Sequence, residues 1–184
     1  LYKSVTKDEN WSSSDGLLHT TEEFRNMLDQ VVLKRTYVAG NSGIDTLNTY
    51  YVYDYMGLLR YVLSPNASSN LGDGTEFSRD HSLIKELCYY YEYDGRKRMV
   101  EKQLPGADPV YMVYDKRDRL VLVQDGKLRD EGDKRKWLFT KYNHLNLPVL
   151  TGEYTIDVTS NDTTRILMQQ AVDLIYGGTS PREM

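Results

Sequence analysis

Three histidines, His19, His81 and His144, are the side chains in this chain best suited to move protons near neutral pH. They are scattered, and none has partners at metal-ligand spacing, so no metal site and no catalytic histidine is expected. Glu92 and Glu101 fall where two strands of a hairpin would face one another, with Glu153 a third carboxylate, and paired carboxylates are what glycoside hydrolysis requires. Carboxylates on such strands ordinarily stay solvated, and the pair is not read as catalytic. Asp157, Asn161 and Asp162 resemble part of a calcium loop, yet capping of the helix that follows accounts for the last two. The chain holds no nucleophile elbow, no phosphate-binding glycine loop and no dinucleotide fingerprint. Cys88 is the single cysteine, which excludes an intrachain disulfide and a cysteine metal site. No catalytic residue and no cofactor is expected. Two segments, Asn66-Ala67-Ser68 and Asn161-Asp162-Thr163, match the glycosylation sequon, which means little if the source is bacterial. The remaining chemistry is that of tyrosine. Tyr51, Tyr91 and Tyr111 are the candidate binding residues, because an exposed phenol ring stacks on sugars or grips an extended peptide. The preferred reading is that these rings pack within the fold.

Those tyrosines sit in a recurring pattern. A seven-residue run, tyrosine-acid-x-x-turn residue-x-aliphatic, reads Tyr53-Asp54-Tyr55-Met56-Gly57-Leu58-Leu59 and returns as Tyr93-Asp94-Gly95-Arg96-Lys97-Arg98-Met99. It returns again as Tyr114-Asp115-Lys116-Arg117-Asp118-Arg119-Leu120, and more weakly as Tyr142-Asn143-His144-Leu145-Asn146-Leu147-Pro148. Internal repetition predicts a fold made by stacking one unit. Each unit reads as strand, tight turn, strand: residues 49–53 and 59–63, Cys88–Tyr93 and Met99–Leu104, Val110–Tyr114 and Leu120–Gln124, Trp137–Tyr142 and Val149–Gly152. Pro65 ends the first return strand. Asp54, Asp94, Asp115 and Asn143 have short acceptors that start a turn, and Gly57, Asp118 and Asn146 tolerate the positive φ that a bulged hairpin loop needs. Lys97 breaks that rule, which predicts a turn shifted by a residue, onto Gly95.

Strand alternation puts Tyr51 with Tyr53, Tyr89 with Tyr91 and Tyr93, and Met112 with Tyr114 on one face. Tyr50, Val52, Tyr90, Tyr111 and Val113 take the other, so both faces are aromatic or apolar and the sheet needs neighbours. A degenerate earlier hairpin is read over Thr21–Phe24 and Val31–Arg35, with a loop at Asn26–Asp29; the alternative is a helix carrying Phe24, Met27, Leu28 and Val31. Two short helices are expected. One is capped by Ser78 or Asp80 and runs through Leu87; the other is capped by Asn161 or Asp162, carries Ile166, Leu167, Val172, Leu174 and Ile175, and stops at Gly177-Gly178. The mixed-sign run Lys127–Lys136 reads as a solvated hairpin loop.

The fold class is therefore mainly β: antiparallel hairpin repeats with two peripheral helices. Three segments are expected: residues 1–19 as a flank, 20–152 as the repeat region with an insert at about 64–87, and 153–184 as a helix and tail. Sixteen tyrosines against three phenylalanines and two tryptophans suit a broad, half-wet sheet more than a dry core. A net charge of −4 without a basic stripe argues against nucleic-acid binding, and no apolar run approaches the roughly 20 residues of a membrane helix. The chain opens on Leu1 and reads as a piece of a longer polypeptide, composition alone leaving its compartment open.

The Tyr-Asp-x-x-Gly-x-Leu element resembles the RHS/YD-repeat family, whose consensus is close to Tyr-Asp-x-x-Gly-Arg-Leu. Tyr50-Tyr51-Val52-Tyr53-Asp54, Arg60-Tyr61-Val62-Leu63, residues 109–115 and residues 136–142 add to the likeness, which covers about Val31 to Gly152 and looks like the large RHS proteins of Bacteroides-type bacteria. The departures are Leu58 where the family has Arg, loss of the Gly after the first unit, and loss of both Asp and Arg in the last; Arg98 and Arg119 keep the Arg. The resemblance implies hairpins wound into a spiralling sheet, which in that family forms a hollow shell around a C-terminal toxic polypeptide. The residues that match its motif are Tyr53, Asp54, Gly57, Tyr93, Asp94, Arg98, Tyr114, Asp115, Arg119, Tyr142 and Asn143, in a structural role. It further implies export or surface display, and as partners the rest of the parent protein and its C-terminal cargo. The expected function is a non-enzymatic scaffold, with a carbohydrate- or protein-binding surface module as the alternative. A cut array exposes strand edges, so edge pairing, helices covering the edges, or self-association is expected.

Overall fold

A computed structural model describes residues 1–41, 43–71, 78–130, 134–157 and 164–175. Among these residues eleven strands follow one another in a single open sheet, in the order β1 to β11, each hydrogen-bonded to its sequence neighbours. They are β1 Tyr2–Lys7, β2 Thr20–Arg25, β3 Val31–Gly40, β4 Gly43–Tyr53, β5 Leu59–Leu63, β6 Cys88–Tyr93, β7 Met99–Gln103, β8 Val110–Tyr114, β9 Leu120–Gln124, β10 Lys134–Tyr142 and β11 Pro148–Asp157. Tyr53, Tyr93, Tyr114 and Tyr142 each end an outgoing strand, as expected. β11 continues five residues past Gly152, where the sequence reading stopped it, because Phe139 covers the glycine across the ladder and the pairing with β10 goes on to Asp157.

The chain divides into two compact units. The first comprises Leu1–Tyr90 with Leu104–Gly106. Its hairpin β2–β3 is the degenerate unit read from sequence, and the helix alternative there is excluded. The insert after β5 holds two helices, α1 Pro65–Asn70 and α2 Ser82–Leu87. Pro65, read only as a strand stop, is also the first helical residue of α1, with the Ser64 hydroxyl accepting from the Ala67 amide at 3.2 Å. The cap of α2 is neither Ser78 nor Asp80 but His81, one residue past Asp80, its Nδ1 accepting from the Leu83 amide at 3.3 Å. Ala67, Leu71, Ile84 and Cys88 form the buried cluster of this unit, flanked by Tyr61, Leu63, Leu83 and Leu87. Burial raises the Cys88 thiol pKa, which keeps it protonated and unreactive.

The second unit comprises Tyr91–Gln103 and Ala107–Met184. Its core is Val113, Val121, Leu122 and Trp137 from the strands, with Met168 and Val172 from α4, Arg165–Ile175. The expected caps Asn161 and Asp162, and the stop at Gly177-Gly178, lie outside the described residues. The run Lys127–Lys136 is not a plain loop: it begins in α3, Gly126–Arg129, capped by Asp125, and it ends inside β10. Among the described residues four short helices thus accompany the sheet, both expected ones among them. The tyrosine-rich second face is covered unevenly. Tyr90 and Val113 are buried, whereas Tyr50 and Val52 stay partly exposed.

The hairpins share one register. Counted from the residue at the tyrosine position, the residue eight further on pairs with the residue three before the next such position: Leu33 with Tyr50, Tyr61 with Tyr90, Glu101 with Tyr111, and Leu122 with Phe139. β1 follows it too, since Val5 pairs with Glu22, three before Arg25. A one-residue slip would send every side chain to the other face, so register is where a repeat must be specified.

Candidate functional site

Each motif begins with the same turn. The amide of Asp54 donates to the Leu58 carbonyl at 2.9 Å and that of Gly57 to the Asp54 carbonyl at 3.0 Å; the same pair of bonds recurs from Asp94, Asp115, Asn143 and Asn26. The side-chain Oδ1 of this first residue accepts two further amides. For Asp54 they are Met56 and Leu58 at 2.9 Å, for Asp115 Arg117 and Arg119 at 2.9 and 3.0 Å, and for Asn143 Leu145 and Leu147 at 2.9 and 3.0 Å. Asp94 does the same to Arg96 and Arg98, and Asn26 to Leu28 and Gln30. Four amides that a tight turn would leave unpaired are thereby satisfied within five residues.

The fourth residue of every turn has positive φ: Asp29, Gly57, Lys97, Asp118 and Asn146. The predicted shift of the second turn onto Gly95 does not occur; Lys97 adopts φ 63°. Two amide bonds to Asp94 and the bulge geometry outweigh the strain of a left-handed lysine.

The tyrosines and arginines of the motif reach out of their own hairpin. Tyr53 donates to the Val31 carbonyl at 3.0 Å, Tyr114 to Met99 at 2.8 Å and Tyr142 to Leu120 at 3.0 Å, in each case the first residue of the preceding return strand. Arg98 holds the Asp94 carboxylate of its own turn at 2.6 and 2.7 Å. It then crosses to the next turn, donating to the Asp115 carbonyl at 3.1 Å and the Asp118 carboxylate at 2.9 Å, with its guanidinium 4.9 Å from the Tyr114 ring centroid. Arg119 repeats this on Asp115, the Asn143 carbonyl and the Asn146 side chain, 5.1 Å from the Tyr142 ring centroid. One motif thus forms half of a clasp, and its neighbour the other half.

In the first unit Gln30 stands at the arginine position. Its amide nitrogen donates to the Gly57 carbonyl at 2.9 Å while its oxygen accepts from Asn26 at 2.8 Å. The sequence gives the loop at Asn26–Asp29 but not this step, because a glutamine amide stands where the other motifs carry a guanidinium.

Electrostatics follow the clasp. Burial pushes the Asp94 carboxyl upward, but the bonds from Arg98 and the two amides outweigh it and hold its pKa below the ordinary carboxylate value. Burial raises the phenols of Tyr53 and Tyr114, so both stay donors across the neutral range.

α4 adds a clamp that sequence does not disclose. The Gln169 side chain accepts from the Tyr114 amide at 3.1 Å and donates to its carbonyl at 2.7 Å, taking the place of a strand at the bulge.

The other sequence candidates do not converge. Tyr51 and Tyr91 are half-buried on β4 and β6, and Tyr111 packs against the second unit's core with Arg129 4.4 Å above its ring. Glu101 is buried on β7 and Glu92 half-buried on β6, while Glu153 sits on β11 paired with Lys136 at 3.4 Å. His19 lies in the β1–β2 loop, 3.1 Å from Asp8; His81 caps α2; and His144 is exposed in the last turn. Among the described residues no group of three side chains could hold a metal ion, and no helix is long and apolar enough to cross a membrane.

No protein-family model matches the chain, and no curated protein matches it. Solved structures do. The chain is similar to one in the complex TcdB2-TccC3-Cdc42, with a TM-score of 0.60 and 14% identity over 87% of its own length. It is similar to one in TcdB2-TccC3-TEV, with a TM-score of 0.53 and 14% identity over 77% of its length. A Tc holotoxin pore of Photorhabdus luminescens carrying a TccC3 mutation gives a TM-score of 0.54 at 14% identity, again over 77%. At such identity the likeness is one of fold, and the chain spans 7%, 6% and 6% of those chains.

Proposed function

We propose that this chain is a non-enzymatic structural segment of a larger RHS-type protein, one stretch of a YD-repeat wall that encloses a C-terminal toxin or effector. The observation that carries this reading is the use of the motif side chains. Tyrosine and arginine are directed at the neighbouring hairpin rather than into a cleft, the aspartate fixes its own turn, and the register is the same at each junction. A wall is what hairpins joined in one register build. The fold likeness to Tc toxin chains supports it, and export or surface display follows from the same reading. Electron microscopy of the parent polypeptide tests it. A hollow particle with this segment in its wall is expected. A segment projecting as a separate module, with a glycan array that responds to it, would replace the wall with the carbohydrate-binding alternative.

A further inference from the structure

α4 does not lie flush on the sheet. Between the helix and strands β9 to β11 the second unit holds a cavity of about 420 Å³, a size in the range of small-molecule sites. Buried Leu122, Met168 and Val172 belong to its lining, with Phe139 on the sheet side and Ala171 and Ile175 on the helix side. Two small residues account for the space. A Cβ on Gly152 would stand 3.0 Å from the Phe139 ring, so the glycine lets that ring lie over β11. Ala171 contributes only a methyl group from the helix. Protein interiors are otherwise close-packed, and an apolar space of this size between two elements is an exception.

Among the residues that line the cavity Lys141 alone is charged. It is exposed, so its stem borders the apolar wall while its ammonium stays in water at the mouth. Lys136 on the same strand is paired with Glu153 at 3.4 Å, whereas Lys141 has no ion pair among the described residues. We propose that this cavity binds a linear aliphatic carboxylate, a free medium-chain fatty acid, with its chain between α4 and Phe139 and its head group on the Lys141 ammonium. From Met168 to Ile175 the helix wall rises roughly 10 Å at 1.5 Å per residue, the span of about eight carbons of extended chain. A neutral chain would leave Lys141 without a counter-charge, and a cationic one would be repelled. The site goes beyond the wall reading and does not rest on it.

Decanoate, titrated below its micelle concentration into the complete 184-residue chain with carbon-13-labelled methionine methyls, tests the assignment. The Met168 methyl should shift, and that of exposed Met27 should not. Octanoate should bind about ten-fold more weakly, the scale of two methylene groups. Lys141→Glu, at an exposed position, should weaken decanoate about ten-fold, the scale of a hydrogen bond to a charged group, and leave decanol unchanged. Ala171→Trp, also at an exposed position, should fill the cavity and abolish binding of both. Absence of decanoate binding, or a shift at Met27 in place of Met168, would overturn the proposal. So would decanol or decyltrimethylammonium binding as tightly as decanoate, or equal decanoate affinity in Lys141→Glu or Ala171→Trp. A chain that dimerises by itself and moves Met168 on dilution without any additive would put a second copy in the cavity, and would overturn it as well.

Discussion

The hairpins of the second unit are joined by arginine and those of the first by glutamine, yet both units hold the same register. Arg98 crosses to Asp115 and Asp118 with a guanidinium over Tyr114; Gln30 makes a single neutral bond to Gly57. Leu33 pairs with Tyr50 just as Glu101 pairs with Tyr111. What the two regions share is the double amide cap, the positive-φ residue that follows it, and the tyrosine hydroxyl on the preceding strand. Those features set the register, and arginine adds strength to a junction that the turn has already placed. The comparison can be broken at several points, beginning with the tyrosine.

Replacing Tyr114 with Ala should cost about 2–4 kcal/mol, the scale of removing a large, mostly buried side chain. The ring supports Arg98, and the hydroxyl bonds Met99. Tyr114→Phe should cost about 1 kcal/mol, the hydroxyl alone. Denaturant unfolding of both variants separates ring from hydroxyl; equal losses would make the hydrogen bond the whole of the clasp. Tyr91→Ala, at a candidate binding position, should also lower the melting temperature and leave a glycan array blank. Unchanged melting with glycan binding lost would shift the function to the binding alternative.

The turns were legible because their chemistry is local. A short polar acceptor, a positive-φ residue three positions later and an aliphatic restart all lie within seven residues of chain. Lys97 was misread because residue preference for positive φ is a weak rule, and the two amides on Asp94 override it. Pro65 was read for the donor it lacks and not for its fit to the first turn of a helix capped by Ser64. The β2–β3 turn was recognised without its tyrosine, but the Gln30 step was not, since nothing local says that an amide replaces a guanidinium. The Gln169 clamp on Tyr114 joins residues 55 apart, and no spacing rule reaches that far.

The arginine comparison comes next in size. Arg98→Ala should cost about 2 kcal/mol, because it leaves the part-buried Asp94 carboxylate without its partner and cuts the bonds to the next turn. Gln30→Ala, which removes neutral bonds only, should cost about 1 kcal/mol. Urea midpoints at constant slope report both. Equal losses would mean that charge adds nothing at these junctions.

Smaller effects are expected at the positive-φ position. Lys97→Gly should stabilise by about 0.5–1 kcal/mol, since it relieves a left-handed lysine. Gly57→Ala should destabilise by about 1 kcal/mol: its φ is 78°, and a Cβ there would meet the Gln30 amide at 3.3 Å. Opposite signs at equivalent positions, read by thermal melting, would show that the turn imposes one backbone on both residues. A destabilised Lys97→Gly would place the lysine side chain in the clasp.

The smallest effect is a pH dependence carried by Asp94. Its carboxyl titrates below the ordinary value because Arg98 and two amides outweigh its burial. A folded pKa below the unfolded one means that the unfolded chain binds the proton first on acidification. The contribution is therefore complete above the unfolded carboxylate pKa of about 4 and is lost as pH falls through the folded value. Asp94→Asn keeps an oxygen that can accept the Arg96 and Arg98 amides, as Asn143 does for Leu145 and Leu147, while it removes the charge facing Arg98. The variant should be slightly less stable than the native chain at pH 7 and converge with it toward pH 3. Melting curves across that range decide the matter. Parallel curves for the two proteins would show that the carboxylate acts only as an amide acceptor, which would reduce the second unit's arginine junction to the neutral kind found in the first.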